Sequence, residues 1–432
     1  MEKGAGSQPL LRARGLAVLR GVLQSPAARD LLSLQDLLSR EKPDPSEIAE
    51  GFGRLWETLA LEPDRLLPDA WQSHLAGRLL DDENPFSLGA ETGTLTDAVL
   101  DQGRRDLRTL QALFDLEGPT LLAAVEDTVP GLSGMWVPWT EPDAGAETPR
   151  HTVASKLAAA ENWEDCAELL AGHYARHGAG AFGRDRAFRW ENGGPLPVKH
   201  PDPVRLSSLV GYEREREPLI RNTERFLVGL PAHHTLLYGL PGTGKSSTVK
   251  AVLNEYADRG LRLVEVAKED LAELPLVLDI LGRRGPRFIL FVDDLSFEEH
   301  EVEYKALKAL LEGSVAEPSE NVRVYATSNR RNIVRETFSE REGPVDDVHA
   351  RDTMQEKLSL VARFGLRLTF PPPDRKLYLE IVAGLARERG LDIPGDELAE
   401  RAARWDQWHA GRSGRTARQF VDDLQAELAD PV

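Results

Sequence analysis

Gly239-Leu240-Pro241-Gly242-Thr243-Gly244-Lys245-Ser246 is the stretch that decides the fold of this chain. It fits the pattern G-x-x-x-x-G-K-[ST] of a phosphate-binding loop, in which glycines let several backbone N–H groups point into one concavity. The apolar run at 235–238 predicts a strand that enters the loop, and the segment 247–258 predicts a helix that leaves it. This context favours a site for a nucleoside triphosphate at the N-terminus of a helix.

The residues of the loop have distinct expected roles. Lys245 is expected to reach the β- and γ-phosphates, and the Ser246 hydroxyl is expected to hold Mg²⁺. The expected cofactors are therefore ATP and Mg²⁺, with ADP as the product. The other expected contacts to the nucleotide are Gly239, Pro241, Gly242, Thr243, Gly244 and Ser247.

Two further strands are expected to bring polar residues to the same sheet edge. The apolar run 288–292 is followed by Asp293 and Asp294, and the run 322–327 leads to Asn329. Ligands bind at the carboxyl ends of strands in open α/β sheets. We expect Asp293 to bind the metal through its water, Asp294 to orient or deprotonate the attacking water, and Asn329 to hold that water or the γ-phosphate.

The apolar periodicity divides the 432 residues into regions of different class. Residues 10–128 repeat at helical spacing and a further helix is predicted at 153–176, whereas short β-prone runs alternate with helical ones only after residue 204. The sequence thus predicts an α/β parallel sheet with a C-terminal helical lid, preceded by an all-α domain. The predicted bounds are 1–177 for the helical domain, 178–203 for a Gly- and Pro-rich linker, 204–371 for the nucleotide-binding domain and 372–432 for the lid.

Composition narrows the possible partners and the compartment. The net charge is −18, which disfavours a broad electrostatic footprint for nucleic acid. No apolar run approaches the ~20 residues that a membrane span needs, so we expect no membrane segment. The single cysteine, Cys166, excludes an internal disulfide and favours the reducing cytoplasm.

The order of these motifs resembles that of AAA+ P-loop ATPases. The segment 206–213 resembles the AAA+ segment that lines the adenine pocket, which implies base contacts from Val210 and Gly211. Arg363 lies where AAA+ proteins carry a finger arginine for the neighbouring subunit, with Arg330 and Arg331 as competitors. The segment 413–418 resembles the lid motif that senses the γ-phosphate, a role that falls to Arg415. The resemblance implies a homo-oligomer, either a ring or a dimer.

A narrower resemblance covers about residues 200–432. Gly-Thr-Gly-Lys-Ser-Ser, Val-Ala-Lys-Glu-Asp-Leu, Asp-Asp-Leu-Ser-Phe-Glu and Ala-Thr-Ser-Asn-Arg-Arg are similar to stretches of a bacterial AAA+ family known as domain of unknown function 815. That family implies no particular substrate. The expected function is Mg-dependent ATP hydrolysis coupled to a conformational change in, or remodelling of, an unknown partner.

Two departures from most AAA+ motors leave alternatives open. Asp294 stands where most have Glu, which places the carboxylate about 1.5 Å further from the water, so hydrolysis is expected to be slow or to be shared with Glu298. The segment 267–271 lacks the aromatic residue that protein-threading rings use. A nucleotide-gated assembly switch with slow hydrolysis is thus the alternative. A nucleic-acid remodeller of helicase-loader type is less favoured, and a small-molecule kinase is the least favoured.

Overall fold

The computed structural model describes residues 7–62, 65–140, 148–295, 307–308, 310–311, 319–329, 360–409 and 411–429. The chain divides into two compact units. The first is Met1–Arg184 with Arg284–Pro286, and the second is Asp185–Arg283 with Arg287–Val432. Each unit has its own hydrophobic core.

The first unit is helical, as the sequence predicts. Its helices are α1 (Ser7–Arg14), α2 (Pro26–Leu38), α3 (Pro45–Ala60), α4 (Ala70–Asp81), α5 (Pro85–Thr92), α6 (Asp97–Phe114), α7 (Gly118–Thr128), α8 (Pro149–Ala159), α9 (Ala167–His177) and α10 (Gly180–Arg184). Helix α3 shows why they form. The Asp44 side chain caps its N-terminus, Pro45 occupies the first turn, and Ile48, Phe52 and Leu55 bury one face.

The single helix predicted at 153–176 is wrong, because two helices occupy this stretch. Helix α8 ends at Ala159, and a 3₁₀ turn at Trp163–Cys166 precedes α9. The turn buries Trp163, whose indole Nε1 donates a hydrogen bond to the carbonyl oxygen of Leu157, 2.9 Å away. A buried indole with a hydrogen-bond partner stabilises this break, and helical periodicity alone does not show it.

The interpretation of 178–203 as a linker is also wrong. The stretch contains α10 and two antiparallel strands, β1 (Ala187–Glu191) and β2 (Gly194–Pro197). Asn192 and Gly193 both have positive φ, 53° and 76°, and form the two-residue turn that Asn-Gly favours in hairpins. The prolines of β2 are tolerated because β2 lies at the edge of the sheet.

The second unit contains the predicted parallel sheet. Its seven strands lie in the order β2-β1-β4-β5-β6-β3-β7, and every neighbouring pair except β1 and β2 is parallel. The remaining strands are β3 (Thr235–Gly239), β4 (Leu261–Glu265), β5 (Arg287–Val292), β6 (Val322–Ser328) and β7 (Leu366–Phe370). The helices that follow or connect them are α11 (Glu213–Leu227), α12 (Lys245–Tyr256) and α13 (Leu274–Gly282). Strand β3, which enters the phosphate loop, lies between β6 and β7.

The predicted C-terminal lid consists of three helices, α14 (Arg375–Glu388), α15 (Gly395–Trp408) and α16 (Gly414–Ala429). Tyr378, Ala402 and Val421 are almost fully buried in their shared core. The Asp374 side chain accepts a hydrogen bond from Leu377 N and starts α14 directly after the proline run 371–373. The sequence prediction of an α/β parallel sheet with a helical lid and a helical N-terminal region is confirmed.

Candidate nucleotide-binding site

A cavity of about 1070 Å³ opens within the second unit, at the carboxyl ends of the central strands. The phosphate loop, the residues after β5 and β6, the segment 202–212 and helices α14 and α16 line it. The structure brings most of the sequence-predicted residues to this cavity: Val210, Gly211, Pro241, Gly242, Thr243, Gly244, Lys245, Ser246, Ser247, Asp293, Asp294, Asn329 and Arg415. Gly239 is not among the lining residues, and its carbonyl oxygen accepts a hydrogen bond from Lys245 Nζ.

The phosphate loop has the backbone that its glycines predict. Gly242 and Gly244 adopt φ of 77° and 88°, in the left-handed region where a side chain is disfavoured. Gly244 precedes the first residue of α12, so the N-terminus of that helix faces the cavity. Unpaired N–H groups and the helix dipole make such an end suitable for an anion.

Lys245 is nearly buried, at 5% relative exposure. Its Nζ donates to the carbonyl oxygens of Gly239 and Leu240, both at 2.9 Å, and to Asn329 Oδ1 at 3.0 Å. Burial lowers the pKa of Lys245 to about 8, and the nearby carboxylates of Asp293 and Asp294 oppose this shift. The ammonium group is thus held at the base of the loop.

Ser246 and Asp293 form a set of oxygen donors that suits Mg²⁺. Ser246 Oγ donates to Asp293 Oδ1 at 2.6 Å, across the gap between α12 and β5. A hydroxyl and a carboxylate are hard ligands of the kind that Mg²⁺ takes beside nucleotide phosphates. Among the described residues, no group of three or more His, Cys, Asp or Glu side chains forms a metal cluster of another kind.

Asn329 connects the loop lysine to the second aspartate. Its Nδ2 donates to Asp294 Oδ1 at 2.5 Å, while its Oδ1 accepts from Lys245 Nζ. The sequence placed Asn329 and Asp294 on neighbouring strand ends, and the structure puts their side chains in contact. Asp294 has φ of 51°, one of few positive values among described residues other than glycine.

The lid reaches the phosphate loop through the start of α16. Gly414 N donates to the carbonyl oxygen of Gly242 at 2.7 Å. A Cβ built on Gly242 would lie 3.1 Å from the Cβ of Arg415. Arg415 and Arg418 both line the cavity. The lid arginine that the family resemblance implied therefore lies beside the phosphate loop.

At the end of the cavity away from the phosphate loop, the segment around Val210 packs closely against helix α14. A Cβ on Gly384 of α14 would overlap Val210, and a Cβ on Gly211 would overlap Leu377. Ile381 and Leu385 add apolar surface to this end. Tyr212 adopts φ of 59°, and its hydroxyl donates to the carbonyl oxygen of Pro371 at 2.6 Å. An apolar slot of this kind suits a flat base.

Some predicted residues lie elsewhere. Arg363 ends a helical turn before β7 and is not among the cavity-lining residues. Glu298, Arg330 and Arg331 lie outside the described residues.

Two further residues, Asn254 and Thr327, shape the site, and no sequence motif assigned them a role there. Asn254 on α12 donates through Nδ2 to the carbonyl oxygens of Asp202 and Val204, both at 2.7 Å, and so fixes the segment that lines the cavity. Thr327 is buried beside Asp293 and Asp294. The available sequence signal for Thr327 was a polar residue near the end of an apolar strand, in the strand that follows the Asp293-Asp294 strand along the chain.

A phosphate loop, two carboxylates, a polar strand end and a helical lid on a parallel sheet define an AAA+ P-loop ATPase. The chain belongs to the family described as Protein of unknown function (DUF815), whose model matches residues 183–428, more than half of the chain.

Curated relatives and solved structures are similar to parts of the chain. The 26S proteasome regulatory subunit 6B homolog of Encephalitozoon cuniculi is 27% identical over 197 residues, which cover 41% of this chain and 46% of that protein. The proteasome-activating nucleotidase of Methanocaldococcus jannaschii is 26% identical over 223 residues, which cover 48% of this chain and 43% of that protein. The structure of the Thermotoga maritima RuvB Holliday junction branch migration motor aligns with a TM-score of 0.36 at 18% identity. The alignment covers 52% of this chain and 65% of that one. The chain thus spans less than half the length of these curated relatives.

Among the described residues, no helix combines the length and apolar character needed to cross a membrane.

Proposed function

We propose that this protein binds Mg-ATP in the cavity, hydrolyses it, and couples hydrolysis to a conformational change in an unknown protein partner. The observation that carries the proposal is the continuous contact from Lys245 through Asn329 to Asp294, beside the Ser246–Asp293 pair. It places a cation, an amide, two carboxylates and a hydroxyl around one loop. Phosphoryl transfer asks mainly for such positioning and charge.

Each residue has a stated part in this proposal. Lys245 binds the β- and γ-phosphate oxygens, and Arg415 binds the γ-phosphate from the lid side. Ser246 and Asp293 hold Mg²⁺, which when bound neutralises charge on the phosphates. Asn329 holds Asp294, and Asp294 orients the attacking water and accepts its proton. Val210 and Gly211 contact the base.

The proposal includes assembly. Arg363 is proposed as the finger that completes the site of a neighbouring copy, with Arg330 and Arg331 as the competing candidates. A finger of this kind contributes about 10³–10⁵ in rate in other nucleotide hydrolases. Hydrolysis would then require a homo-oligomer, either a ring or a dimer. We further propose a cytoplasmic protein whose partner is a protein rather than nucleic acid, consistent with its charge of −18.

A second candidate is a nucleotide-gated assembly switch in which hydrolysis only times release. The contact between the short Asp294 side chain and Asn329 supports it, because a carboxylate held in this way has less reach toward a water. In this candidate, nucleotide binding orders the lid over the phosphate loop and recruits the partner.

Turnover per subunit, measured from nanomolar to micromolar protein, tests the leading proposal. We expect turnover to rise with concentration because the finger acts between subunits, and an Arg363→Ala protein should recover activity in part when mixed with Asp294→Asn protein. Turnover independent of concentration would contradict a finger in trans. A single-turnover rate near the intrinsic rate of switch GTPases, about 10⁻⁴–10⁻² s⁻¹, would favour the switch.

A further inference from the structure

We infer that Thr327 is a positioning residue for both carboxylates of the site, and that it fixes the backbone conformation that makes Asp, not Glu, the residue at position 294. This inference rests on the proposed function, because it assigns Thr327 to the metal-binding and water-orienting groups. Thr327 is itself among the residues that line the cavity. Thr327 lies near the end of β6 and is 2% exposed.

The Thr327 hydroxyl joins Asp293 to Asp294. Its Oγ1 donates to Asp293 Oδ1 at 2.5 Å and accepts from Asp294 N at 2.9 Å. Asp293 Oδ1 also accepts from Ser246 Oγ, so two hydroxyls fix this one carboxylate oxygen. A buried hydroxyl that both donates and accepts has little rotational freedom, and its partners share that constraint.

Thr327 also holds the chain on the far side of Asp294. Its carbonyl oxygen accepts from Leu295 N at 2.7 Å. The N–H groups of residues 294 and 295 are therefore both bound by Thr327, one by its side chain and one by its backbone. Asp294 lies between these two contacts with φ of 51°, and from there its carboxylate meets Asn329 Nδ2.

This backbone conformation explains the residue type at 294. Left-handed conformations are several-fold enriched in Asp and Asn among residues other than glycine, because their short polar side chains bond locally. Glu lacks this advantage. Asp294, which stands where most AAA+ motors have Glu, thus suits the left-handed turn that the two Thr327 contacts hold.

The competing interpretation is that Thr327 only fills the sheet core. Ser328 provides the comparison, because it is equally buried at 1% exposure and its Oγ has no hydrogen-bond partner in the part of the chain that the structure describes. A Ser328→Ala variant removes a buried hydroxyl from the same strand without touching the carboxylates. The two positions separate an effect on the site from an effect on the core.

The experiment compares Thr327→Val, Thr327→Ser and Ser328→Ala with the unaltered chain. Calorimetry gives the Kd for ATP with EDTA and with saturating Mg²⁺, and steady-state assays give kcat. We expect Thr327→Val to lower kcat by about 10–100-fold and to reduce the gain in ATP affinity from Mg²⁺ by a similar factor, the usual effect of residues that orient metal ligands. Thr327→Ser should restore both, and the Kd without metal should stay within about twofold throughout.

The outcomes separate this inference from the proposed function. If the unaltered chain fails to bind Mg-ATP, both fall. If it binds and hydrolyses ATP while Thr327→Val behaves like Ser328→Ala, only the role of Thr327 is overturned. A Thr327→Val protein that loses affinity equally with and without Mg²⁺, and that Thr327→Ser does not rescue, also overturns it. Should Thr327→Val be insoluble, Thr327→Ala makes the same test.

Discussion

The two ends of the cavity are built by different physics. At the phosphate end, charged and polar side chains bond one another: Lys245 to Asn329, Asn329 to Asp294, and Ser246 to Asp293. At the base end, which is expected to hold the nucleotide base, two glycines allow close packing. Val210 occupies the space of a Cβ on Gly384, and Leu377 occupies that of a Cβ on Gly211. Charge-assisted contacts depend on pH and metal, whereas close packing depends on shape. Variants at the two ends should therefore fail in different ways.

Lys245→Ala should give the largest effect. It removes the cation expected on the β- and γ-phosphates and leaves the Asn329 and backbone oxygens without their donor. Truncating one partner of a buried charged contact costs about 2–5 kcal/mol, so the Kd for Mg-ATP should rise by at least about 30-fold. Calorimetry with the unaltered chain and with the variant measures the change.

Lys250→Ala is the matched control for that variant. Lys250 lies on the same helix, but its Nζ is 3.7 Å from Asp202 and its side chain is 41% exposed. Because exposed ion pairs contribute about 0–1 kcal/mol, we expect little change in Kd. Equal losses in the two variants would mean that general positive charge, and not the position of Lys245, supports binding.

Changes at Asp294 should reduce turnover while leaving binding. Asp294→Asn keeps a residue that tolerates φ of 51° but removes the proton acceptor, so kcat should fall by about 10²–10⁴-fold with Kd almost unchanged. Asp294→Glu restores a carboxylate with a longer reach. We nevertheless expect lower kcat than in the unaltered chain, because the turn disfavours Glu.

Single-turnover assays and direct binding on both variants check these expectations. An Asp294→Asn protein with normal turnover would show that another acid, such as Glu298, accepts the proton. An Asp294→Glu protein that hydrolyses faster would show that reach matters more than the left-handed turn at this position.

The phosphate end could be predicted from the sequence because its chemistry is local. Lys245 and Ser246 follow the glycines at fixed spacing, and Asp293, Asp294 and Asn329 each follow an apolar strand. Parallel strands bring their carboxyl ends to one edge of the sheet, so predicting a parallel sheet was enough to group these residues. The sheet and the lid were predictable for the same reason.

The base end and the hairpin could not be predicted in this way. The contact of Val210 with Gly384 joins residues far apart in the chain, and no local periodicity encodes it. The β1–β2 hairpin was hidden because the Gly and Pro content of 178–203 suggested a linker. Its Asn192-Gly193 turn was nevertheless a readable signal. The polar residue Thr327 was visible in the sequence, but the hydrogen-bond partners of its hydroxyl are defined only by the fold.

Gly384→Ala tests the base end directly. The added Cβ would overlap Val210 and push its segment into the slot expected to hold the base. Overpacking of this kind costs about 1–3 kcal/mol, and we expect KM for ATP to rise by about tenfold with kcat little changed. Steady-state kinetics with ATP measures the split between KM and kcat.

Gly395→Ala is the control within the same lid, since a Cβ there meets nothing within 4 Å. A loss of kcat without a change in KM in Gly384→Ala would contradict the assignment of this end to the base. It would instead indicate that α14 acts on the phosphate end, and the contrast between the two ends would fail.

The smallest effect should come from pH, and only at the phosphate end. Burial lowers the pKa of Lys245 to about 8, so the ligand-free ammonium group is fully charged below pH 7 and half charged near pH 8. Because phosphate binding requires the charged form, affinity should fall about twofold between pH 7 and 8 and further above that. The bound phosphates favour the charged form, so binding near pH 8 should take up protons.

The stability of the ligand-free protein should change with the opposite sign. The folded pKa of Lys245 lies below its ordinary value of 10.5, so the unfolded chain binds more protons between about pH 8 and 10.5. Below about pH 8 Lys245 is charged in both states, and burying that charge destabilises the folded protein. Across the window from about pH 8 to 10.5 the folded protein loses this charge first, so the Lys245 contribution to the free energy of unfolding rises with pH. Thermal melts of the unaltered chain against Lys245→Ala, taken at several pH values, isolate this contribution.

Calorimetry in two buffers of different ionisation enthalpy counts the protons taken up on binding. Lys245→Arg is the control, since a guanidinium stays charged throughout and its affinity should be flat over this range. The Gly384→Ala protein, altered only at the base end, should keep the pH dependence of the unaltered chain at a weaker affinity. If the pH dependence persisted in Lys245→Arg, the titrating group would lie elsewhere. The pH dependence of binding at the phosphate end could then not be assigned to Lys245.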